Sequence, residues 1–281
     1  QVRDKVIGMG SDIVVSSIEG AQLYQMNPVV ANDSLLSVIR NIPQVSHVQR
    51  YATKPGMIMT ADNFQGMIVK GVAQEYDWTY LKTHLQEGEI PALTDSVASN
   101  RVLVSRSMAD KLSLEVGDKL YTYYIEGNVR ARRLTVSGIF QTNFSAFDDY
   151  FLITDMYTVR RLNGWEPDQV GGVEVAVSDY RFLDSVNDEI RGHIQEQTDR
   201  YGAIYCSRTS EELYPQIFAW LDLLDTNVWV ILILMIGVAG FTMISGLLII
   251  ILERTQMIGV LKALGADNAS IRQIFLSFSV F

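Results

Sequence analysis

The sequence predicts an α+β domain of two lobes joined to transmembrane α-helices, and three observations carry that prediction. Residues 228–252, VWVILILMIGVAGFTMISGLLIIIL, hold no charged side chain, and an apolar run of about 25 residues is long enough to cross the roughly 30 Å hydrocarbon core of a bilayer as a helix. Residues 1–227 have instead the mixed composition of a folded soluble domain, with strand-like runs alternating with amphipathic stretches. Directly after the span stand Glu253 and Arg254, followed by a second amphipathic segment.

Each element can be justified in chain order. Ile13–Ile18 is a strand-like core, and Asn32–Asn41 reads as a short helix opened by Asn or Asp. Val45–Met59 alternates loosely, Gly66–Val72 is another strand, and Pro28, Pro43 and Pro55 punctuate the connections. That order predicts an α/β lobe. Residues from about 88 to 141 form an inserted strand-rich lobe: a strand at Arg101–Ser105, a helical turn at Ser107–Leu112, and a hairpin from Lys119–Glu126 through Gly127 and Asn128 into Val129–Gln141. The tyrosines of YTYYIE fit a β surface, where aromatic residues are enriched.

Next come a strand at Tyr150–Ile153, a helix at Asp155–Leu162 and a strand at Val173–Val177. Asp179–Tyr201 is an amphipathic helix, with Phe182, Val186, Ile190 and Ile194 at three- to four-residue spacing. Ala203–Ser207 closes the domain. Thr209 to Glu212 is a capping signature, a hydroxyl with Glu three residues on. From Glu211 to Leu252 only Pro215 interrupts, and Pro is tolerated near a first turn. A continuous rod therefore enters the span.

Composition excludes several functions. The net charge of -9 argues against nucleic acid, whose phosphates need clustered Lys and Arg. Cys206 is the single cysteine, so no internal disulfide, Cys-based zinc site or CxxC pair exists. His47, His84 and His193 lie far apart without metal-ligand spacing, and neither a GxxxxGK[ST] phosphate loop nor GxSxG is present. The reading is of a non-catalytic chain that itself binds no cofactor or metal. Phe147 and Trp165 stand on connections, TNFSAFDDY and GWEPDQVGG; loops carry function more often than their share, but the favoured reading folds both rings back on the core.

The membrane segment carries its own pattern. At 100° per residue, Ala239, Thr242 and Gly246 fall within about 60° of one another, and Gly237 and Gly240 fall on the opposite side. Small residues let helices approach closely in lipid, so two packing faces are expected. Between Arg208 and Val228 no Lys or Arg occurs, whereas Arg254, Lys262 and Arg272 follow the span, which places the C-terminal side in the cytoplasm and residues 1–227 outside. Met257, Ile258, Val260, Leu261 and Leu264 form an amphipathic helix ended by Gly265, and Asp267 or Asn268 caps a second short helix running to Phe275. This pair could dock on a cytoplasmic partner or lie in the interface. A further apolar run opens at Ile274, read as the truncated start of a next transmembrane helix over residues 274–281.

The segment LERTQMIGVLKALGADNASIRQIF resembles the signature after the second transmembrane helix of FtsX-like ABC transporter permeases. It has Glu253-Arg254, Ile258-Gly259, Leu261-Lys262-Ala263, Gly265-Ala266 and Ile271 to Phe275, and departs at Met257, where many members have Glu. Upstream, KVIGMGSDIVV and RRLNGWEPDQVGGVEVAVSD are similar to the lipoprotein-releasing LolC/LolE type, whose layout MacB-type permeases share.

The resemblance implies a MacB-like periplasmic core domain at residues 1–209, with a porter-like α/β lobe and a strand-rich lobe. It further implies a stalk helix at 210–227, a transmembrane helix at 228–252 and a cytoplasmic coupling segment at 253–273. Leu264, Gly265, Ala266, Asp267, Asn268 and Ala269 would contact an ATP-binding subunit, which would hold ATP and Mg. Phe147, Trp165, Glu166 and Pro167 would be candidate contacts for a soluble lipoprotein carrier. The implied protein is a multi-pass permease of the bacterial inner membrane, paired with a second permease subunit and extracting lipoproteins, with lipid-anchored cargo. Rival readings are a MacB-like efflux permease, an FtsX-like regulator of cell-wall hydrolases, and a membrane-anchored binding or sensor protein.

Overall fold

The computed structural model describes residues 11–20, 27–60, 63–93, 95–126, 128–194, 197–269 and 273. Two compact units result, residues 1–214 and 215–281. In the first, the strands are β1 (Ile13–Ser17), β2 (Val29–Val30), β3 (Val45–Met59), β4 (Phe64–Val72), β5 (Leu85–Gly88), β6 (Arg101–Ser105), β7 (Lys119–Glu126), β8 (Asn128–Phe140), β9 (Phe151–Asp155), β10 (Gln169–Val170), β11 (Gly172–Val177) and β12 (Tyr205–Thr209). The helices are α1 (Asp33–Arg40), α2 (Thr79–His84), α3 (Arg106–Leu112), α4 (Ser145–Asp148), α5 (Met156–Asn163), α6 (Leu183–Ile194) and α7 (Ser210–Leu213).

Among the described residues one mixed sheet runs β12-β1-β11-β3-β4-β9-β6-β8-β5, with β7 bridging β3 and β8. The β4/β9 and β6/β8 pairs are parallel; the other pairs of this sheet are antiparallel. Because successive strand residues point to opposite faces, the central strands feed two cores. Val69, Val102, Val104 and Leu152 pack with Ile39 of α1, Met108 of α3, Val159 of α5 and Ile190 of α6. Their sequence neighbours Ile68, Leu103 and Ile153 pack on the other face with Tyr76, Leu81, Phe140 and Phe147. Gly71 permits the close seating of α5, since a Cβ there would lie 2.7 Å from the Val159 side chain.

Caps fix the helix starts. Asn32 accepts from the Leu35 N–H, Ser105 from Met108 and Asp155 from Thr158. The reciprocal bonds between Thr209 and Glu212 form as the capping signature requires.

Three sequence expectations change. The block 88–141 is not set apart as a lobe: β6 pairs with β9, β7 with β3, and its apolar residues join both cores. The helix expected over 179–201 ends at Ile194, and Asp199 instead accepts from the N–H groups of Val30, Tyr201 and Ala203 to build a turn. The rod expected from Glu211 is broken. Tyr214 sits at φ -124 and ψ 53, outside helical space, because the ring of a following proline disfavours the α conformation. Pro215 therefore opens a new helix, and the 210–213 turn belongs to the sheet domain through Tyr180–Glu211 at 2.5 Å and Arg191–Glu212 at 2.8 Å.

The second unit is α8 (Pro215–Glu253) followed by α9 (Thr255–Ala263). At about 1.5 Å per residue, its 39 residues extend about 58 Å. Thr226–Glu253 has a mean hydropathy of 2.4 and is long and apolar enough to cross a membrane. The expected next transmembrane segment, 274–281, lies outside the described residues.

A buried ion pair spans the sheet. Lys70 of β4 meets Glu174 of β11 at 2.6 Å, both side chains 4% exposed, with β3 between them. Gln49 of β3 donates to the other Glu174 oxygen at 2.8 Å, and the Tyr51 and Tyr76 rings lie 5.5 and 5.6 Å from the ammonium. Burial raises both phenols well above their ordinary range. Removing one partner, as in Lys70→Met, leaves the Glu174 carboxylate buried without its cation and is expected to cost about 3–5 kcal/mol, whereas Lys70→Met with Glu174→Leu costs far less. Thermal unfolding of the four proteins of this double-mutant cycle checks the difference; equal losses in the single and double variants would contradict it.

Candidate functional site

The connection after α5 is built from its helix end. Gly164 has φ +71, the Trp165 N–H bonds the Arg160 carbonyl and the Gly164 N–H bonds the Arg161 carbonyl. These are the two bonds of a Schellman ending, which is commonly accompanied by an apolar contact from the second residue past the cap. Trp165 fills that role, half-buried against the main core. Glu166 donates its N–H to the Gln169 side chain, and the Arg160 guanidinium donates to the Pro167 carbonyl. The loop is held in place while the Glu166 and Pro167 side chains face solvent.

Phe147 stands apart from this loop. It is 6% exposed in the second core, its ring 5.4 Å from Phe144 and 5.0 Å from Phe151. The Asp148 carboxylate, accepting from the Thr142 hydroxyl at 2.7 Å, turns the chain so that the ring points inward. Phe147 is therefore not a surface contact, and the structure brings together Trp165, Glu166 and Pro167 alone of the four.

Charged residues that the sequence did not single out surround the loop. Beside Trp165 and Pro167 lies a cavity of about 470 Å3, walled also by Arg50, Asp95, Ser96, Tyr157, Arg160 and Arg161. Arg50 grips Glu75 through two nitrogens at 2.6 and 3.1 Å. Arg160 also donates to the Asp95 carbonyl at 2.8 Å, so one guanidinium ties two loops together. Burial lowers the Arg160 pKa, and burial together with the Glu75 charge raises that of Asp95. Arg160 and Arg161 belong to a helix expected from sequence, but Arg50, Glu75 and Asp95 meet only through sheet pairing.

In the second unit the expected coupling residues form a helix end of the same kind. Leu264 is 79% exposed and closes α9, and Gly265 follows at φ +91. The Ala266 N–H bonds the Leu261 carbonyl and the Gly265 N–H the Lys262 carbonyl, again the Schellman pair. Asp267 accepts from the Asn268 N–H at 2.8 Å, and Asn268 and Ala269 are helical; residues 270–272 lie outside the described set. Gly237, Gly240 and Gly246 have open space where a Cβ would stand, Ala239 is exposed, and Thr242 bonds back to the Val238 and Ala239 carbonyls.

The sheet domain and apolar helix thus define a membrane-linked α/β protein. A family model described as the MacB-like periplasmic core domain matches residues 1–193, and one described as the FtsX-like permease C-terminal matches residues 229–281. The chain belongs to the FtsX-like permeases that carry a MacB-like periplasmic core domain. The lipoprotein-releasing system transmembrane protein LolC of Xylella fastidiosa (strain 9a5c) is 22% identical over 288 residues, 98% of this chain and 64% of that protein. The corresponding LolE of Haemophilus influenzae is 21% identical over 252 residues, 85% of this chain and 57% of that protein. The chain spans less than two thirds of the length of these relatives. Among solved structures, the extracellular domain of the transporter YknZ from Gram-positive bacteria gives a TM-score of 0.47 at 14% identity, covering 70% of this chain and 99% of that one. The periplasmic region of MacB from Actinobacillus actinomycetemcomitans gives 0.47 at 12%, covering 75% and 95%.

Phe147→Ala removes a core ring and is expected to cost about 3–5 kcal/mol. Glu166→Ala, on an exposed side chain, stays within about 0.5 kcal/mol. Denaturant titration of both variants checks this; a neutral Phe147→Ala would return that ring to the surface.

Proposed function

We propose that this chain is the permease subunit of an ABC transporter that extracts lipoproteins from the outer leaflet of the bacterial inner membrane. The observation that supports this most is the order of the two family matches, a MacB-like periplasmic core domain followed by an FtsX-like permease C-terminal, in a chain whose relatives include proteins named as lipoprotein-releasing LolC and LolE. In this reading residues 1–214 are periplasmic, Thr226–Glu253 spans the membrane, and a second permease subunit packs on the small-residue faces at Gly237 and Gly240 and at Ala239, Thr242 and Gly246.

ATP and Mg belong to a separate ATP-binding subunit, and this chain supplies no catalytic group. Leu264 to Ala269 dock on that subunit: Leu264 is an exposed apolar knob directly before a glycine turn, the shape an apolar pocket accepts. Nucleotide-driven closure then moves α8, and the movement reaches the sheet domain through Tyr214, at the break before Pro215. Burial, and secondarily the Glu174 charge, raises the Tyr214 phenol to about 12. The loop with Trp165, Glu166 and Pro167 is the candidate surface for a soluble lipoprotein carrier.

Leu264→Asp combined with Asp267→Arg is expected to abolish co-purification of the ATP-binding subunit while the sheet domain keeps its stability. Unchanged assembly and transport would overturn the coupling assignment. Depletion of the protein is expected to leave outer-membrane lipoproteins in the inner membrane; drug sensitivity or division defects with correctly placed lipoproteins would overturn the cargo assignment.

A further inference from the structure

We propose that the cavity beside Trp165 is a binding site for a phosphate ester that carries an apolar or aromatic group. The transport reading does not require such a site, and the proposal stands independently of it. The cavity volume of about 470 Å3 lies within the roughly 300–1,000 Å3 range of small-molecule sites.

Three separate elements bring a donor to its wall: Arg50 from β3, Ser96 from the connection between β5 and β6, and Arg161 from α5. Donors arriving from three elements can each meet a different oxygen of a tetrahedral oxyanion, and hydrogen bonds to an ionised acceptor are the strong ones. Arg50 is partly neutralised by Glu75. Arg161 has no carboxylate partner among the described residues; its guanidinium bonds the Tyr157 hydroxyl at 3.4 Å and lies 5.7 Å from that ring. Arg160 is the framework, since its terminal nitrogens go to the carbonyls of Pro167 and Asp95 and hold the two loops that wall the cavity. Trp165 and Pro167 supply the apolar side, where a ring or alkyl group attached to the phosphate would rest.

Asp95 is the acidic group of the wall. It lies 3.8 Å from Arg50 and accepts from the Gln74 N–H at 3.1 Å. An incoming anion therefore meets Asp95 on the wall and Glu75 behind Arg50, and the wall residue provides an internal check: neutralising Asp95 strengthens the site, and neutralising Arg161 weakens it.

The test is calorimetric titration of the purified full chain in an uncharged detergent with phenyl phosphate, inorganic phosphate, dihexanoylphosphatidylglycerol and benzoate. Phenyl phosphate is expected to bind saturably and more tightly than benzoate. Loss of one charge-assisted contact in Arg161→Gln should weaken it about tenfold, Asp95→Asn should tighten it, and Arg200→Gln, a cation paired with Asp168 outside this cavity, should leave it unchanged. Binding of the short-chain lipid without competition by inorganic phosphate assigns the ligand to lipid headgroups; competition by inorganic phosphate assigns it to soluble phosphates. Absence of saturable binding by all of the phosphates, benzoate binding as tightly as phenyl phosphate, or equal weakening in Arg161→Gln and Arg200→Gln would overturn the proposal.

Discussion

Lys70 and Glu174 meet across the middle of the sheet, and that contact constrains the strands around it. The pair joins β4 to β11 over β3, on the face that also holds Gln49, Tyr51 and Tyr76. Two charges taken out of water are poor stabilisers compared with apolar residues of the same volume, but once buried neither can be left alone. Because side chains alternate between faces, a one-residue slip of β4 or of β11 against β3 would carry Lys70 or Glu174 to the opposite face and separate the pair. A sheet of this width, with strands drawn from the whole length of the domain, is held as one body by that constraint together with the two cores.

The junction at Tyr214 and Pro215 marks where the sheet domain ends. A helix running unbroken from Glu211 would make one stiff lever rooted in the domain through Glu211 and Glu212. The structure instead ends the domain on Tyr214, outside helical space, and starts a new helix at the proline. In the proposed reading, a pull on α8 is delivered through the peptide bond before Pro215 to Tyr214, the last residue of the sheet domain.

The sequence made much of this legible. Strand and helix positions from Ile13 to Thr209 follow from periodicity and cap residues, to within a few residues for most elements, because alternation and Asn, Ser, Asp or Thr caps are local signals. Gly265 likewise announced a helix end. What escaped was non-local or small. Lys70 reads as a polar position in GMIVKGV until Glu174, far along the chain, is brought opposite it. Phe147 stands among small and acidic residues, where a surface ring competes with the favoured buried one; that Asp148 gives its carboxylate to Thr142 and holds the ring inward shows only in the structure. The block 88–141 looked separable because its strands form a hairpin, and only pairing of β6 with β9 and of β7 with β3 shows that it completes the common sheet. Pro215 was visible but misweighed: it is the first residue of a helix, and its effect falls on Tyr214 before it.

The central claim is that movement of the membrane helix reaches the sheet through the direct bond between Tyr214 and Pro215. The most direct measurement inserts four Gly-Ser residues at that bond and follows lipoprotein release in membranes containing the full assembly. The account predicts that the ATP-binding subunit still assembles and the sheet domain still folds while release is lost. Release at the unmodified rate from the extended junction would contradict it.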